Sequence, residues 1–204
     1  MAIALIDYGA GNLQSVHNAF KAAGASQIVV TADPEVVLRA DRIVLPGVGA
    51  FAACMGALSA IEGMVEAMET RVHTGGVPFL GICVGMQLLA DAGVEHGTHP
   101  GLGWIGGTVQ VIEPNDTSIK VPHMGWNDVS PSRDHVLIEA GEAYFLHGYH
   151  FDVASEANIL ARTTHGGSLV AAVAQGNIIG VQFHPEKSQA YGLSMLSRFL
   201  EWKP

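Results

Sequence analysis

The sequence predicts an α/β protein with a central mixed, mostly parallel sheet, flanked by helices and extended by antiparallel strands in its second half. Two observations predict this class. In the first half, short β-rich runs alternate with segments whose apolar residues recur at helical spacing, which is typical of parallel strands joined by helical crossovers. From Gly101 onward, short apolar runs are separated by glycine, proline and asparagine, which indicates antiparallel strands.

Four strands and four helical segments alternate in the first half. The predicted strands are IALID (3–7), QIVVT (27–31), RIVLPG (42–47) and VPFLGI (77–82), and the predicted helical segments are GNLQSVHNAFKAAG (11–24), a segment from Asp33, residues 51–71 and a helix from about residue 84. Asp33 is followed by Pro34 and Glu35, and an N-cap, a first-turn proline and a first-turn acid together favour a helix start. The alternation therefore predicts a series of βαβ units.

The second half consists of shorter strands and a closing helix. The predicted strands are WIGGTVQVI (104–112), YFLHGYHF (144–151), ILARTT (159–164), SLVAAVA (168–174) and IIGVQFH (178–184). Over residues 188–202, Leu193, Leu196 and Leu200 share one face of an amphipathic helix. No repeat or linker interrupts the pattern, so we expect a single domain spanning residues 1–204.

The charge balance and composition limit the classes of partner. Lysine and arginine total 10 against 19 aspartate and glutamate, and the formal charge of −9 repels nucleic acid and anionic membrane surfaces. No apolar run reaches the ~18 to 20 residues of a membrane span, and MAIALIDYGAGN lacks the basic leader of a signal peptide. Two cysteines fit a reducing, cytoplasmic setting. With 49% hydrophobic and 14% charged residues, a partly apolar surface that meets a permanent partner is expected.

The stretch Gly81-Ile82-Cys83-Val84-Gly85 lies where an apolar strand gives way to a helical pattern. A nucleophile on such a sharp turn needs small neighbours two residues away, because larger side chains would crowd the strand or the helix. The helix N-terminus favours the thiolate of Cys83, and the Val84 N–H is placed to hold an oxyanion. The alternative is a buried core cysteine beside loop glycines.

A cysteine nucleophile needs a base, and His184 at the end of an apolar strand is the best candidate. Pro185 stops the strand pairing, and Glu186 follows two positions after the histidine. If the chain stays extended, residues two apart face the same way, so the carboxylate can orient the imidazole. Alone, the tripeptide reads as a histidine at a strand end beside a surface glutamate; together with Cys83 it predicts a catalytic pair.

Three other features of the sequence are weaker indications of a functional site, or indicate none. The turn LPGVGAF (45–51) lacks the spacing and the lysine of a phosphate-binding loop, but its glycines allow a backbone N–H to approach a substrate carbonyl. Cys54 lies at helical spacing with no histidine or acid nearby, which indicates packing. Ten histidines occur without a His-x₃-His or Cys-x₂-Cys pattern, so we expect neither a metal site nor a cofactor.

Five motifs together resemble the triad-type, class I glutamine amidotransferases. They are IDYGAGNL, LPGVGAF, GICVGMQLL, HMGWN and HPEKS, and they span the chain from Asp7 to Ser188. GICVGMQ and HPE indicate the wider class, whereas LPGVGAF and MGWN narrow the resemblance to the glutaminase subunits of imidazole glycerol phosphate synthase. The resemblance implies a flavodoxin-like fold and glutaminase activity in histidine biosynthesis.

The resemblance also implies roles for individual residues. The catalytic triad is Cys83, His184 and Glu186; the oxyanion donors are Val48 and Val84; the substrate-binding residues are Gly49, Gln87 and main chain near Tyr149; and the partner face contains Asn12, Trp126, Tyr144 and Lys187. Val84 stands where the family often has leucine, a change of little consequence because its backbone acts. Gly148 replaces a common hydroxyl residue, which removes any side-chain contact at that position.

The implied reaction is hydrolysis of L-glutamine to glutamate and ammonia. Ammonia would become non-nucleophilic ammonium in bulk water, so a synthase subunit has to accept it directly. The resemblance implies a heterodimer with a (β/α)₈-barrel cyclase. It also implies that binding of this partner activates the glutaminase. There are three alternatives: the glutaminase of another synthase, such as pyridoxal phosphate synthase; a stand-alone cysteine hydrolase; and a catalytically silent binding module, against which the intact Cys83, His184 and Glu186 argue.

Overall fold

The strands and helices of the computed structural model, which describes residues 1–204, follow the predicted alternation in the first half. The strands are β1 (Ala2–Ile6), β2 (Gln27–Thr31), β3 (Arg42–Gly47), β4 (Phe79–Cys83), β5 (Ala92–Gly93), β6 (His99–Pro100), β7 (Gly107–Val111), β8 (His123–Pro131), β9 (Gly141–His147), β10 (Tyr149–Val153), β11 (Ile159–Thr164), β12 (Ser168–Gln175) and β13 (Ile178–Val181). The α-helices are α1 (Leu13–Ala22), α2 (Pro34–Val37), α3 (Phe51–Ser59), α4 (Met64–Glu69), α5 (Val84–Gln87) and α6 (Gln189–Glu201). A π-helical turn covers Thr70–Thr74, and 3₁₀ turns cover Glu156–Asn158 and Pro185–Lys187.

Nine strands form one mixed sheet in the order β2-β1-β3-β4-β13-β12-β11-β8-β9. β2, β1, β3, β4 and β13 run parallel, whereas β12, β11, β8 and β9 are added antiparallel. Every residue of β3, β4 and β13 is buried, as expected of central strands covered on both faces. The predicted fold class is confirmed.

A second sheet of four strands, in the order β10-β7-β5-β6, packs beside the first. WIGGTVQVI supplies β7, and YFLHGYHF divides at Gly148 into β9 of the main sheet and β10 of the second. The expectation that all these runs extend one sheet is therefore wrong for β7 and β10. Which strands pair depends on tertiary contacts that the pattern of a single strand does not encode.

Two helices differ from their predictions. The stretch 51–71 divides into α3, which ends at Ser59, and α4, which begins after Gly63, whose φ of 78° lies outside the helical region. The helix after Cys83 has only four residues, because Leu89 and Ala90 already bond to carbonyls three positions back. No single helix is long and apolar enough to cross a membrane; only α3 taken together with α4 and the π-helical turn, bent by 91°, has the length and composition.

The closing helix α6 buries Leu196 as predicted, but the centre of its buried face lies to one side of the predicted leucine stripe. Met195, Leu196 and Phe199 are buried, whereas Leu193 and Leu200 are only half-buried. Phe199 contacts Phe20 of α1 edge to face, with ring centroids 6.1 Å apart. An aromatic ring therefore packs beside the leucines that the pattern had predicted for this face.

The carboxyl ends of β3, β4 and β13 lie side by side at one edge of the main sheet. This arrangement brings together the turn after Gly47, the elbow at Cys83 and the segment that carries His184. Ligand sites of open α/β sheets form at this edge. The topology thus assembles the predicted site from segments that are about 35 and 100 residues apart in the sequence.

Candidate active site

Cys83 lies at a sharp turn between β4 and α5. Its φ of 55° and ψ of −112° are strained for any residue with a side chain. A Cβ at Gly81 would collide with the backbone of Gly85, and one at Gly85 would run into the carbonyl of Leu45. Close packing therefore requires glycine on both sides of the elbow.

The segment after β13 places His184 and Glu186 side by side. His184 Nδ1 lies 2.8 Å from Glu186 Oε1, and the side chains are only 3% and 1% exposed. The chain is not extended here as supposed: Pro185–Lys187 forms a 3₁₀ turn, and this turn brings the two groups together. Burial lowers the pKa of His184, but hydrogen bonds with Cys83 and Glu186 outweigh burial and raise that pKa to about 9.

A cavity of about 340 Å³ opens beside Cys83, a volume at the small end of ligand pockets. Seven of the predicted site residues line it: Val48, Gly49, Cys83, Val84, Gln87, Tyr149 and His184. Lys187, predicted for the partner face, also reaches the cavity wall. Glu186 does not line the cavity and contacts it only through His184.

The turn after β3 is held from behind by two side chains. The buried Tyr8 hydroxyl donates to the Pro46 carbonyl at 2.7 Å, and the Cys54 thiol lies 3.4 Å from the Val48 carbonyl. Cys54 is buried, as the packing interpretation expects, but it also anchors this turn. Gly49 adopts a φ of 111° that favours glycine.

The predicted partner residues of β8 and β9 form one exposed face beside the cavity. Trp126 is 47% exposed and contacts Tyr144 edge to face, with ring centroids 6.2 Å apart. Lys187 Nζ lies 5.8 Å from the centroid of the Tyr144 ring, a cation–π contact. Asn12 is exposed as well but serves as the N-cap of α1, accepting from the Ser15 N–H at 3.3 Å.

The family model described as glutamine amidotransferase class-I matches residues 4–202. The chain belongs to this family. As a class-I glutamine amidotransferase it is an enzyme, and the resemblance drawn from its five motifs is confirmed.

Two relatives and two solved structures extend this family assignment. The chain is 63% identical to "Imidazole glycerol phosphate synthase subunit HisH" of Zymomonas mobilis, covering 99% of this chain and 96% of the relative, and 55% identical to the protein of the same name from Rhodospirillum rubrum, covering 100% of both. A crystal structure of a glutamine amidotransferase matches with a TM-score of 0.74 at 22% identity, covering 97% of each chain. The structure of PurLQS from Thermotoga maritima matches with a TM-score of 0.72 at 19% identity, covering 98% of this chain and 95% of the other. Both structures support the amidotransferase fold alone.

Three residues of the candidate site were not predicted from the sequence. Glu95 lines the cavity and accepts from the Phe51 N–H at 2.8 Å; it follows β5, a two-residue strand too short to leave a pattern. His147 lines the cavity too, and the buried Gln182 reaches Cys83. A polar residue within the apolar run IIGVQFH was the one available signal for Gln182.

Proposed function

We propose that this chain is the glutaminase subunit of an imidazole glycerol phosphate synthase, which hydrolyses L-glutamine and delivers the ammonia to a cyclase subunit in histidine biosynthesis. The observation that carries the proposal is the match along the whole chain, at 63% and 55% identity, to two relatives with that subunit name. The proposed heterodimer carries out a lyase reaction in the cytoplasm. The geometry of the site supports the glutaminase half of this proposal.

The proposed chemistry begins with attack of the Cys83 thiolate on the carboxamide carbon of glutamine. The N–H groups of Val84 and Val48 hold the oxyanion. The imidazolium of His184 gives its proton to the departing ammonia, which leaves a glutamyl thioester, and neutral His184 then takes a proton from the water that hydrolyses it. Glu186 accepts from His184 Nδ1 at 2.8 Å and so directs Nε2 at the reacting atoms.

The glutamine would be held at its amino-acid end by the opposite wall of the cavity. Gly49 and the main chain at Tyr149 lie there, as the family resemblance expects, together with the carboxylate of Glu95. Gln87 donates to the Tyr149 carbonyl at 3.1 Å and to Gln182 Oε1 at 2.9 Å. Since these bonds occupy its amide nitrogen, Gln87 contacts substrate through its oxygen, which suits an α-ammonium group.

The exposed face of β8 and β9 is the proposed site of a (β/α)₈-barrel partner. Met124 is 65% and Leu146 37% exposed, and they pair across the two strands as Trp126 and Tyr144 do. Leu146 and Lys187 belong both to this face and to the cavity wall. Ammonia released at Cys83 would therefore leave into a channel at the partner surface, and the partner's contacts would reach the site to activate it allosterically.

Copurification tests the proposed assembly. The tagged chain, expressed in its native cell, is expected to retain one second polypeptide, and the purified pair to form imidazole glycerol phosphate from glutamine. Recovery of a pyridoxal phosphate synthase subunit would assign the chain to that complex. Full glutamine turnover with no second chain would favour the stand-alone hydrolase.

Glu186→Gln is expected to reduce glutamine turnover less than His184→Ala does. The two losses should differ by a factor of about 10 to 10². A neutral amide still accepts a hydrogen bond from the imidazole, whereas nothing replaces the base. The measurement is kcat of both variants in the complex, with ammonium-dependent synthesis as the control for folding. Equal or reversed losses would mean that Glu186 does more than orient the imidazole.

The activity should also depend on the protonation of His184. Because its imidazolium protonates ammonia and its pKa is raised to about 9, kcat/KM is expected to fall as the pH rises through about 9. Glu186 favours the imidazolium, so Glu186→Gln lowers this pKa and moves the alkaline fall toward neutral pH. A pH profile of kcat/KM for both proteins measures the shift, and an unmoved alkaline limb would contradict it.

A further inference from the structure

We infer that Gln182 is a further catalytic residue, whose side-chain amide donates a hydrogen bond to the Cys83 sulfur and stabilises the attacking thiolate. Gln182 Nε2 lies 3.6 Å from Cys83 Sγ. Gln182 is fully buried, and so are its apolar neighbours in the sequence, Val181 and Phe183. The inference deepens the proposed glutaminase function, on which it rests.

The orientation of the Gln182 amide follows from its neighbours. The Tyr149 carbonyl can only accept, so the group of Gln87 that lies 3.1 Å from it must be the amide nitrogen. The same nitrogen lies 2.9 Å from Gln182, which must therefore present its oxygen to Gln87. The remaining Gln182 nitrogen then faces Cys83, and it carries the hydrogen that the sulfur accepts.

The Tyr149 carbonyl is itself held by two buried histidines. His147 Nδ1 lies 2.8 Å from this carbonyl and must donate to it, so His147 Nε2 accepts from His123 Nδ1 at 3.0 Å. His123 Nε2 accepts in turn from the Asn127 amide at 3.0 Å. Burial, aided by the neighbouring His165, lowers the pKa of His123 to about 4. Burial, aided by other nearby histidines that include His150 and His165, lowers the pKa of His147 to about 3.

His123 and His147 therefore stay neutral at neutral pH. His123 donates to His147, and His147 donates to the Tyr149 carbonyl. Hydrogen bonds lead from Asn127 through the two histidines to the Tyr149 carbonyl. From this carbonyl, further hydrogen bonds lead through Gln87 and Gln182 to Cys83. A residue needed only for packing in this apolar strand would not require an amide. The amide at position 182 is thus explained by its two polar contacts: its oxygen accepts from Gln87, and its nitrogen donates to the Cys83 sulfur.

Alkylation of Cys83 by iodoacetamide tests the inference without glutamine. In the complex near pH 7, Gln182→Met, similar in length but without a donor, is expected to slow alkylation by a factor of about 3 to 10. A hydrogen bond to a charged group favours the thiolate by about 10 to 10², but the more basic thiolate of the variant is the better nucleophile, which offsets about half of that effect on a logarithmic scale. Gln182→Glu keeps an oxygen for Gln87 but loses the N–H, so alkylation should slow as well. The kcat/KM for glutamine should fall with it.

Two comparisons separate this effect from a structural one. Thr163→Val removes a buried hydroxyl without a hydrogen-bond partner from the same sheet, and its alkylation rate is expected to stay unchanged. If Gln182→Met does not fold, Gln182→Asn shortens the reach of the amide by one methylene and should give the same slowing. Alkylation within about twofold of the unsubstituted rate in a folded variant would overturn the inference. Because the electrophile needs no glutamine, failure of the proposed function alone would leave this result intact.

Discussion

Cys83→Ala is expected to abolish glutamine-dependent synthesis while the complex continues to use added ammonium salt. The loss should reach at least about 10⁴-fold, the scale seen when a nucleophile is removed from a triad hydrolase. Ammonium-dependent synthesis survives because the accepting site lies in the other subunit. The measurement is product formation from saturating glutamine and, separately, from an ammonium salt at alkaline pH.

The ammonium reaction serves as the control within the same variant. Alanine is smaller than cysteine and adds no atom to the tight packing around Gly81 and Gly85. The fold and the partner face should therefore persist. Loss of both reactions would mean that the variant does not assemble. Glutamine-dependent synthesis that survives in the variant would remove Cys83 from the mechanism.

The isolated chain is expected to hydrolyse glutamine slowly, and the partner with its substrate or an analogue bound should raise the rate at least about 10²-fold. Completing an oxyanion hole by one donor is worth about 10² to 10³ in rate. The donor at issue is the Val48 N–H, since Val48 is 42% exposed and lies between two glycines on the cavity wall. The measurement is steady-state glutamate release at saturating glutamine with and without the partner.

Gly47→Ala provides the matched variant for this switch. A Cβ at Gly47 would lie 2.7 Å from the Tyr8 hydroxyl, 2.8 Å from the Gly85 nitrogen and 2.9 Å from Val84 Cβ, so the turn would have to move away from the elbow. Glutamate release by this variant should stay slow even with the partner bound. Full activity of the unsubstituted chain alone would rule out the switch and favour the stand-alone hydrolase.

The elbow and the parallel half of the fold could be predicted because their signals are local. Gly81 and Gly85 flank Cys83 in the sequence, and the strands 27–31 and 42–47 have the bounds that their apolar runs predict. The His184–Glu186 contact was predicted for the wrong reason, since a 3₁₀ turn replaces the extended chain. Local spacing thus identified the two residues but not the backbone conformation that brings them together.

The rest of the site depends on contacts between distant segments. Gln182 meets Gln87 and Cys83 only because β13 pairs with β4, and His123 meets His147 only because β8 pairs with β9. A polar residue in an apolar run, such as Gln182, shows that a partner exists but not which residue it is. No spacing along one segment encodes such a network, since strand pairing is decided by the whole sheet.

Attack of Cys83 on the side-chain carbon of glutamine can be tested by covalent trapping. The complex is incubated with 6-diazo-5-oxo-L-norleucine, a glutamine analogue that alkylates the nucleophile, and the peptides are analysed by mass spectrometry. We expect one adduct per chain, on the peptide that contains Cys83, suppressed by excess glutamine and absent from Cys83→Ala. An adduct on Cys54, or one that glutamine does not suppress, would contradict it.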